Sequence, residues 1–421
     1  MKRSGPVAVA AAAAVLCAGC GSAAAPGPSA RGSAAPVVRG VAKTEPVVSP
    51  APYAAADLAF GLSVLSGMCA QNPAANLVLS PSSLASGLGM AYLGARGATA
   101  RAMAAVLHLP AATAAGLLAG LQARDRALRH LDGPGVTVAG ADQLWADPSL
   151  PPARSYTDAI ATGYGAGLAQ APLLHAPAKA AAQIDADIAS LTKGHIPRLL
   201  TAGDLADAIF VLTDALYLNA RWASPFLRYN DSTEPFAPEP GQRVSARYMF
   251  GAGYASAVAD GWTAVQLPYR GGRLAMLALL PPVGSAARCP ALTPAGVAAL
   301  QTGLHTPARA AVELPKVDLD SRLQLNAILT HLGMGVAFGP DADFSGISPQ
   351  AAAIGVVVHG ATLRVDEAGT VGSAATGVTI VPTAGFGGPT VRFNRPYLML
   401  ITDTQSGEPL FLARVANPDR S

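Results

Sequence analysis

Charge is scarce in this chain of 421 residues. Lys, Arg, Asp and Glu make up 13% of it, and 29 basic against 26 acidic residues leave a formal net charge of +3. Without Lys2 and Arg3, which fall in the leader described below, the balance is 27 against 26. Nothing in that balance points to a nucleic acid or an acidic partner. Cysteine is scarcer still, with four residues. Cys17 and Cys20 lie near the start, so only Cys69 and Cys289 fall in the body of the chain, and no Cys-x-x-Cys metal or redox motif exists. An exported chain could pair these two, but their spacing does not give their distance. The seven histidines are scattered without ligand spacing, so neither a metal nor a cofactor is expected. Gly-x-Ser-x-Gly, His-Glu-x-x-His and a phosphate loop are all missing. Ser190-Leu191-Thr192-Lys193 has the Ser-x-x-Lys spacing of a penicillin-recognising nucleophile, but its Ser-Asp-Asn and Lys-Thr-Gly partners are absent, so an enzyme is not expected.

Apolar residues make up 51% of the chain, a figure inflated by alanine, and a chain this long can bury a sizeable core. Met1-Lys2-Arg3 is a basic start, and Val7 to Leu16 is an apolar run too short to cross ~30 Å of hydrocarbon. Ala18-Gly19-Cys20 closes it and resembles a bacterial lipoprotein cleavage box, with Cys17 where Leu is usual. Residues 1–19 therefore read as a signal peptide and Cys20 as a lipidated first residue; plain secretory cleavage is the alternative. Residues 20–50, rich in Ala, Gly, Ser and Pro, read as a flexible tether, and 51–421 as the folded domain. The location expected is the extracellular face, lipid-anchored or secreted, with membrane contact only through the lipid.

Helical spacing of Leu58, Leu62, Leu65 and Met68 predicts an opening helix. Asn76 to Leu79 reads as a short buried strand, and Ser80-Pro81 suits the start of the next helix. Ile209 to Leu218 is a long apolar strand. Gln266 to Pro281 is a hairpin with two turn glycines, and Tyr397–Ile401 with Leu410–Arg414 forms another. The stretch that organises the rest is Leu363-Arg364-Val365-Asp366-Glu367-Ala368-Gly369-Thr370 and the small-residue run that follows it. Alone, Gly372 to Gly377 would be a linker. Here it leaves a strand-like stub and is followed by a hairpin. At period two from Thr370, the positions Thr370, Gly372, Ala374 and Thr376 would share one face. All four are small enough to enter a closed sheet.

Asp366-Glu367-x-Gly369-Thr370, the small run with Ala375-Thr376-Gly377, and Phe393-Asn394-Arg395-Pro396 resemble the hinge, reactive loop and C-terminal anchor of the serpins. Asn76 to Leu84 with Tyr92 to Thr99 also resembles a serpin signature, and the likeness extends from about Tyr53 to Pro418. It implies an α+β fold of three β-sheets and eight or nine helices with an exposed reactive-centre loop, which such proteins insert into their main sheet. It implies a single-use inhibitor of a serine-type endopeptidase that forms a covalent acyl complex, with a monomer expected; a non-inhibitory surface or binding protein on the same fold is the alternative. The hinge set is Glu367, Gly369, Thr370, Gly372, Ser373, Ala374, Ala375 and Thr376. Val371 stands where inhibitory members usually have Glu, on the outward side. Counting forward from Glu367 places the scissile bond at Thr383-Ala384, and counting back from Phe393 places it at Gly385-Phe386. With no Lys or Arg between Arg364 and Arg392, the target expected is elastase-like, subtilisin-like or chymotrypsin-like. Ser80, Ser83, Asp214 and His359 map to a buried polar cluster under the sheet, with Asp214 where Asn is usual, and Asp214 is expected to favour protonated His359. Lys316 and Glu367 match an ion pair at the point of insertion, where Trp222 would cover the sheet or serve as a large core residue.

Overall fold

The computed structural model describes residues 35–420 apart from 207, 286–288, 306–307, 351–352 and 371–387. Its helices are α1 (Ala51–Gln71), α2 (Pro81–Gly94), α3 (Gly97–Val106), α4 (Ala114–Arg129), α5 (Arg154–Tyr164), α6 (Pro177–Leu191), α7 (Pro294–Gly303) and α8 (Asn326–Leu329). The main sheet comprises β1 (Val37–Val38), β3 (Val136–Gly140), β4 (Gln143–Ala146), β5 (Leu168–Gln170), β6 (Phe210–Arg221), β12 (Val317–Gln324), β13 (Val356–Val365) and β14 (Gly369–Thr370). Its order is β1-β5-β4-β6-β14-β13-β12, with β3 continuing along β6. The second sheet comprises β2 (Leu77–Leu79), β7 (Ser232–Phe236), β8 (Val244–Ala259), β9 (Trp262–Pro268), β10 (Leu274–Leu280), β11 (Ala308–Pro315), β15 (Thr390–Arg392), β16 (Tyr397–Asp403) and β17 (Pro409–Val415). Two of the three expected sheets are continuous here because the 16-residue β8 pairs in turn with β7, β11 and β9.

Strand β6 explains the layering. Its run Phe-Val-Leu-Thr-Asp-Ala-Leu-Tyr-Leu is buried on both faces, as expected of a central strand. Val211 and Ala215 pack with Ile184 and Ile188 of α6 on one face. Leu212 packs with Leu84 and Leu88 of α2 on the other. Higher up that second face, Leu216, Leu218 and Ala220 meet Met249, Val265 and Met276 of the second sheet. Asp214 therefore lies on the inner face, between Leu212 and Leu216.

Helix α2 starts as the sequence predicts: Ser80 caps it, its Oγ accepting from the Ser83 N–H at 3.2 Å, with Pro81 next. Helix α1 is long and apolar enough to span a bilayer, but Phe60, Val64 and Leu65 put its apolar side in the core. Cys69 at its end is disulfide-bonded to Cys289, closing 220 residues of sequence. The expected tether needs correction. From Ala35 onward the chain lies against the body, β1 pairs with β5, and Ala35 is buried. The expected leader and Cys20 lie outside the described residues.

Candidate functional site

The site is built where β6 and β13 part. The two are paired in parallel from Val211/Val356 to Leu216/Ala361. Above that point β14 stands between them, with Thr370 opposite Ala220 on one side and Val365 on the other. The chain reaches this slot by a turn that Asp366 holds: its Oδ1 accepts from the Ala368 N–H at 2.8 Å and the Gly369 N–H at 3.3 Å. Gly369 is required sterically. Its φ is +157°, and a Cβ there would lie 2.1 Å from the Ala220 carbonyl oxygen. Thr370 is fully buried, and its Oγ1 lies 2.5 Å from the hydroxyl of Tyr269.

Trp222 backs this turn. It is 1% exposed, stacks on Tyr269 with ring centroids 4.5 Å apart, and donates its Nε1–H to the Asp366 carbonyl at 2.9 Å. The N–H of Trp222 donates to the Ala368 carbonyl at 3.0 Å and that of Phe226 to the Glu367 carbonyl at 2.9 Å. Lys316 Nζ donates to Glu367 Oε1 at 2.7 Å and to Asp231 Oδ2 at 2.5 Å. Burial pushes the Glu367 carboxyl up, but the Lys316 bond and charge, with hydrogen bonds from its own backbone and Asp231, together outweigh it and hold the group below its ordinary value. Asp231, beside it, moves the other way: burial raises it, Lys316 opposes, and the Glu367 charge adds to the rise.

Below the slot lies the polar cluster. His359 and Asp214 are register partners on β13 and β6, and His359 Nδ1 bonds Asp214 Oδ1. His359 Nε2 accepts from the backbone N–H of Ser80 at 3.0 Å. A nitrogen that accepts carries no proton, so the ring here is neutral, with its hydrogen on Nδ1. This corrects the expectation of an imidazolium: the Ser80 N–H occupies the lone pair that protonation would need. Ser83 makes no hydrogen bond to His359. Its N–H donates to Ser80 Oγ and its hydroxyl to Asp142. Burial, with the Asp214 charge adding, pushes the Asp142 carboxyl well above the ordinary range.

The structure thus brings Glu367, Gly369, Thr370, Trp222 and Lys316 together, and separately Ser80, Ser83, Asp214 and His359. Gly372, Ser373, Ala374, Ala375 and Thr376 of the hinge lie outside the described residues, as do Thr383, Ala384, Gly385 and Phe386. Ser190 lies in the last turn of α6, which ends at Leu191, and Lys193 follows it with a φ of +55°. Sequence reasoning missed Tyr269, Asp231 and Asp142. Tyr269 ends a predicted strand, a signal for position though not for its role; Asp142 and Asp231 carry no local signal.

A profile described as Serpin (serine protease inhibitor) matches residues 55–418. An uncharacterized serpin-like protein of Thermococcus kodakarensis is 30% identical over 348 residues, covering 82% of this chain and 81% of its own. The leukocyte elastase inhibitor of Bos taurus is 28% identical over 392 residues, covering 86% and 99%. The crystal structure of human thyroxine-binding globulin with its ligand superposes with a TM-score of 0.76 at 22% identity, over 88% of this chain and all of that one. That last likeness concerns the fold alone.

Proposed function

The chain belongs to the serpin family, and on that premise we propose that it is a single-use inhibitor of serine-type endopeptidases. One observation carries the proposal: the hinge is already seated as the first two residues of a strand, between β6 and β13, above a sheet that is closed below.

The target's serine Oγ attacks the Thr383 carbonyl carbon. The Thr383–Ala384 amide bond breaks, the leaving amine takes a proton from the target's histidine, and Thr383 is left as an ester on the serine. Cleavage frees the hinge side. The loop then extends β14 downward, from Thr370 to Thr383, about 14 residues at ~3.3 Å each, a travel of roughly 45 Å. The protease is carried along and its active site is distorted, so the ester is not hydrolysed. Strain released on cleavage drives the step.

The existing register gives the path. Both partners of β14 run antiparallel to it, so Ala374 comes opposite Leu216 and Ala361, and Thr376 opposite Asp214 and His359. The two ladders are independent, yet they agree at each step with the present β6–β13 pairs. Insertion therefore parts six residue pairs and separates His359 from Asp214. The preferred bond is Thr383-Ala384, because insertion length is set from the hinge side; the small side chains there fit shallow elastase-like or subtilisin-like pockets. Phe386 fits a chymotrypsin-like one. Placement outside the cell, through a lipid on Cys20 or by secretion, agrees with the Cys69–Cys289 bond, since disulfides persist in oxidising compartments.

The test is incubation with elastase, subtilisin, chymotrypsin and trypsin. A denaturant-resistant complex and a released C-terminal peptide beginning at Ala384 are expected. A peptide beginning outside residues 382–387, or a complex with trypsin alone, refutes the site. Cleavage without any complex leaves the non-inhibitory alternative.

A further inference from the structure

We propose that residues 35–45 are a docked strap that closes one edge of the main sheet and ties that half of the sheet to α4 and α5. The two edges of the sheet are protected differently. On β12 the side chains Asp318, Asp320 and Arg322 alternate outward, and such charges discourage pairing with another chain. On the other side β5 is Leu-Ala-Gln, with Leu168 and Ala169 buried and no charge to guard its free backbone groups. Strand β1 covers it: Val37 pairs with Ala169, Val38 with Leu168, and the Gln170 N–H donates to the Pro36 carbonyl at 2.8 Å.

Beyond β1 the segment runs across two helices, and side chains of the body satisfy its backbone at every second residue. Asp158 Oδ1 accepts from the Val41 N–H at 2.7 Å, and Thr162 Oγ1 from the Lys43 N–H at 3.0 Å. Gln122 of α4 accepts from the Glu45 N–H at 3.0 Å and donates to the Lys43 carbonyl at 2.7 Å. The fit is close on both sides. A Cβ on Gly40 would lie 2.1 Å from the Thr157 backbone carbon, and one on Gly167 would lie 2.6 Å from Val37 Cγ1. Neither glycine has the left-handed φ that alone would require glycine, so it is the docking that excludes a side chain.

The mechanical consequence rests on the insertion reading. When β14 lengthens, β6 must move away from β13, and β4 and β5 move with it, since they are bonded to it in series. The strap joins β5 to α5 and α4, so this movement works against its bonds. The strap thus opposes unprompted opening of the sheet and protects the loop-out state before a protease is met.

Gly40→Ala and Gly167→Ala, made in the full chain, test this from opposite sides, without any target protease. Either substitution should speed trypsin cleavage after Arg39 and raise amide exchange at Leu168–Gln170 and at residues 210–216 by at least about tenfold. Both should also produce concentration-dependent association in sizing experiments, as a bared edge does. Circular dichroism confirms that each variant is folded. If Arg39 becomes accessible while exchange at Leu168–Gln170 and 210–216 stays at the parent rate, the segment merely lies on the surface and the proposal fails. Because these readouts need no inhibition, the strap can stand or fall apart from the inhibitory reading.

Discussion

Ala374→Arg tests the insertion path most directly. Continuing the register of β14 brings residue 374 between Leu216 and Ala361, which are 6% and 0% exposed and sit in an apolar cluster with Val265 and Met276. Thr370 fixes the parity, since its hydroxyl meets Tyr269 on that same inner face. An arginine at 374 must bury its guanidinium there without a partner, which costs several kcal/mol. If about 3 kcal/mol of that appears in the insertion barrier, insertion slows roughly 150-fold. Hydrolysis of the acyl-enzyme then wins, and the variant is consumed as a substrate. The assay is the number of inhibitor molecules used per protease silenced, with complexes counted on denaturing gels. Val371→Arg is the control, because residue 371 comes opposite the half-buried Asn219 on the outer face and should keep trapping. Trapping by Ala374→Arg at the parent stoichiometry, or equal loss in both variants, refutes the path. The same substitution at Thr370 is a poorer probe, since that side chain is fully buried before cleavage and the change would disturb both states.

Asp214→Asn should stabilise the fold at neutral pH by about 1–3 kcal/mol, because Oδ1 still accepts from His359 while the buried Oδ2, which has no partner among the described residues, is replaced. Asp142, raised in the fold by burial and then by Asp214, makes stability fall as pH rises from its ordinary value to its raised one; the variant should flatten that slope in thermal melts. Glu367 is lowered instead, so the grip of Lys316 is present above the ordinary carboxylate range and is lost as pH falls through the depressed native value. Amide exchange at 366–370 should rise as pH falls below the ordinary carboxylate range, and Lys316→Met should remove the dependence. Cys289→Ser opens a 220-residue loop and should destabilise by up to about 5 kcal/mol on the chain-entropy account, read by denaturant titration of oxidised protein. Cys20→Ala should move the protein from membrane to soluble fractions. Docking from Ala35 leaves only 14 residues between Cys20 and the body, 15 steps that span about 50 Å when fully extended.

The elements were legible because their signals are local, whereas the hinge was named through the resemblance, and of it the described residues hold Glu367, Gly369 and Thr370. Ser80-Pro81 starts a helix wherever it stands, and a glycine followed by alternate small residues reads as an entering strand. What was not legible depends on groups that meet only in space. The protonation of His359 is set by the backbone N–H of Ser80, 279 residues away. No side-chain pattern encodes that bond, so a neighbouring carboxylate alone pointed to the wrong charge state. Cys69 and Cys289 give no spacing signal across 220 residues. The strap looked like a tether because its composition has no period. Its backbone is satisfied by Asp158, Thr162 and Gln122, which lie on other elements.

On the proposed mechanism, cleavage must precede full insertion, and the reason is a matter of reach. The far end of the loop is anchored by β15, where Thr390 pairs with Ala311 and Arg392 with Glu313. Glu313 is three residues before Lys316, which grips Glu367, so this anchor stands at the hinge end of the sheet. In the intact chain only seven residue steps separate Thr383 from Thr390, a span of at most about 25 Å. Full insertion would carry Thr383 roughly 45 Å from the hinge end. The intact loop therefore cannot complete the strand, however favourable the new ladders would be. Before cleavage it can advance only until the remaining chain is taut, about ten residues by the same spacings, which stops short of Thr383. Breaking one bond in the loop removes the restraint at once, and every further residue then gains a neighbour on both sides.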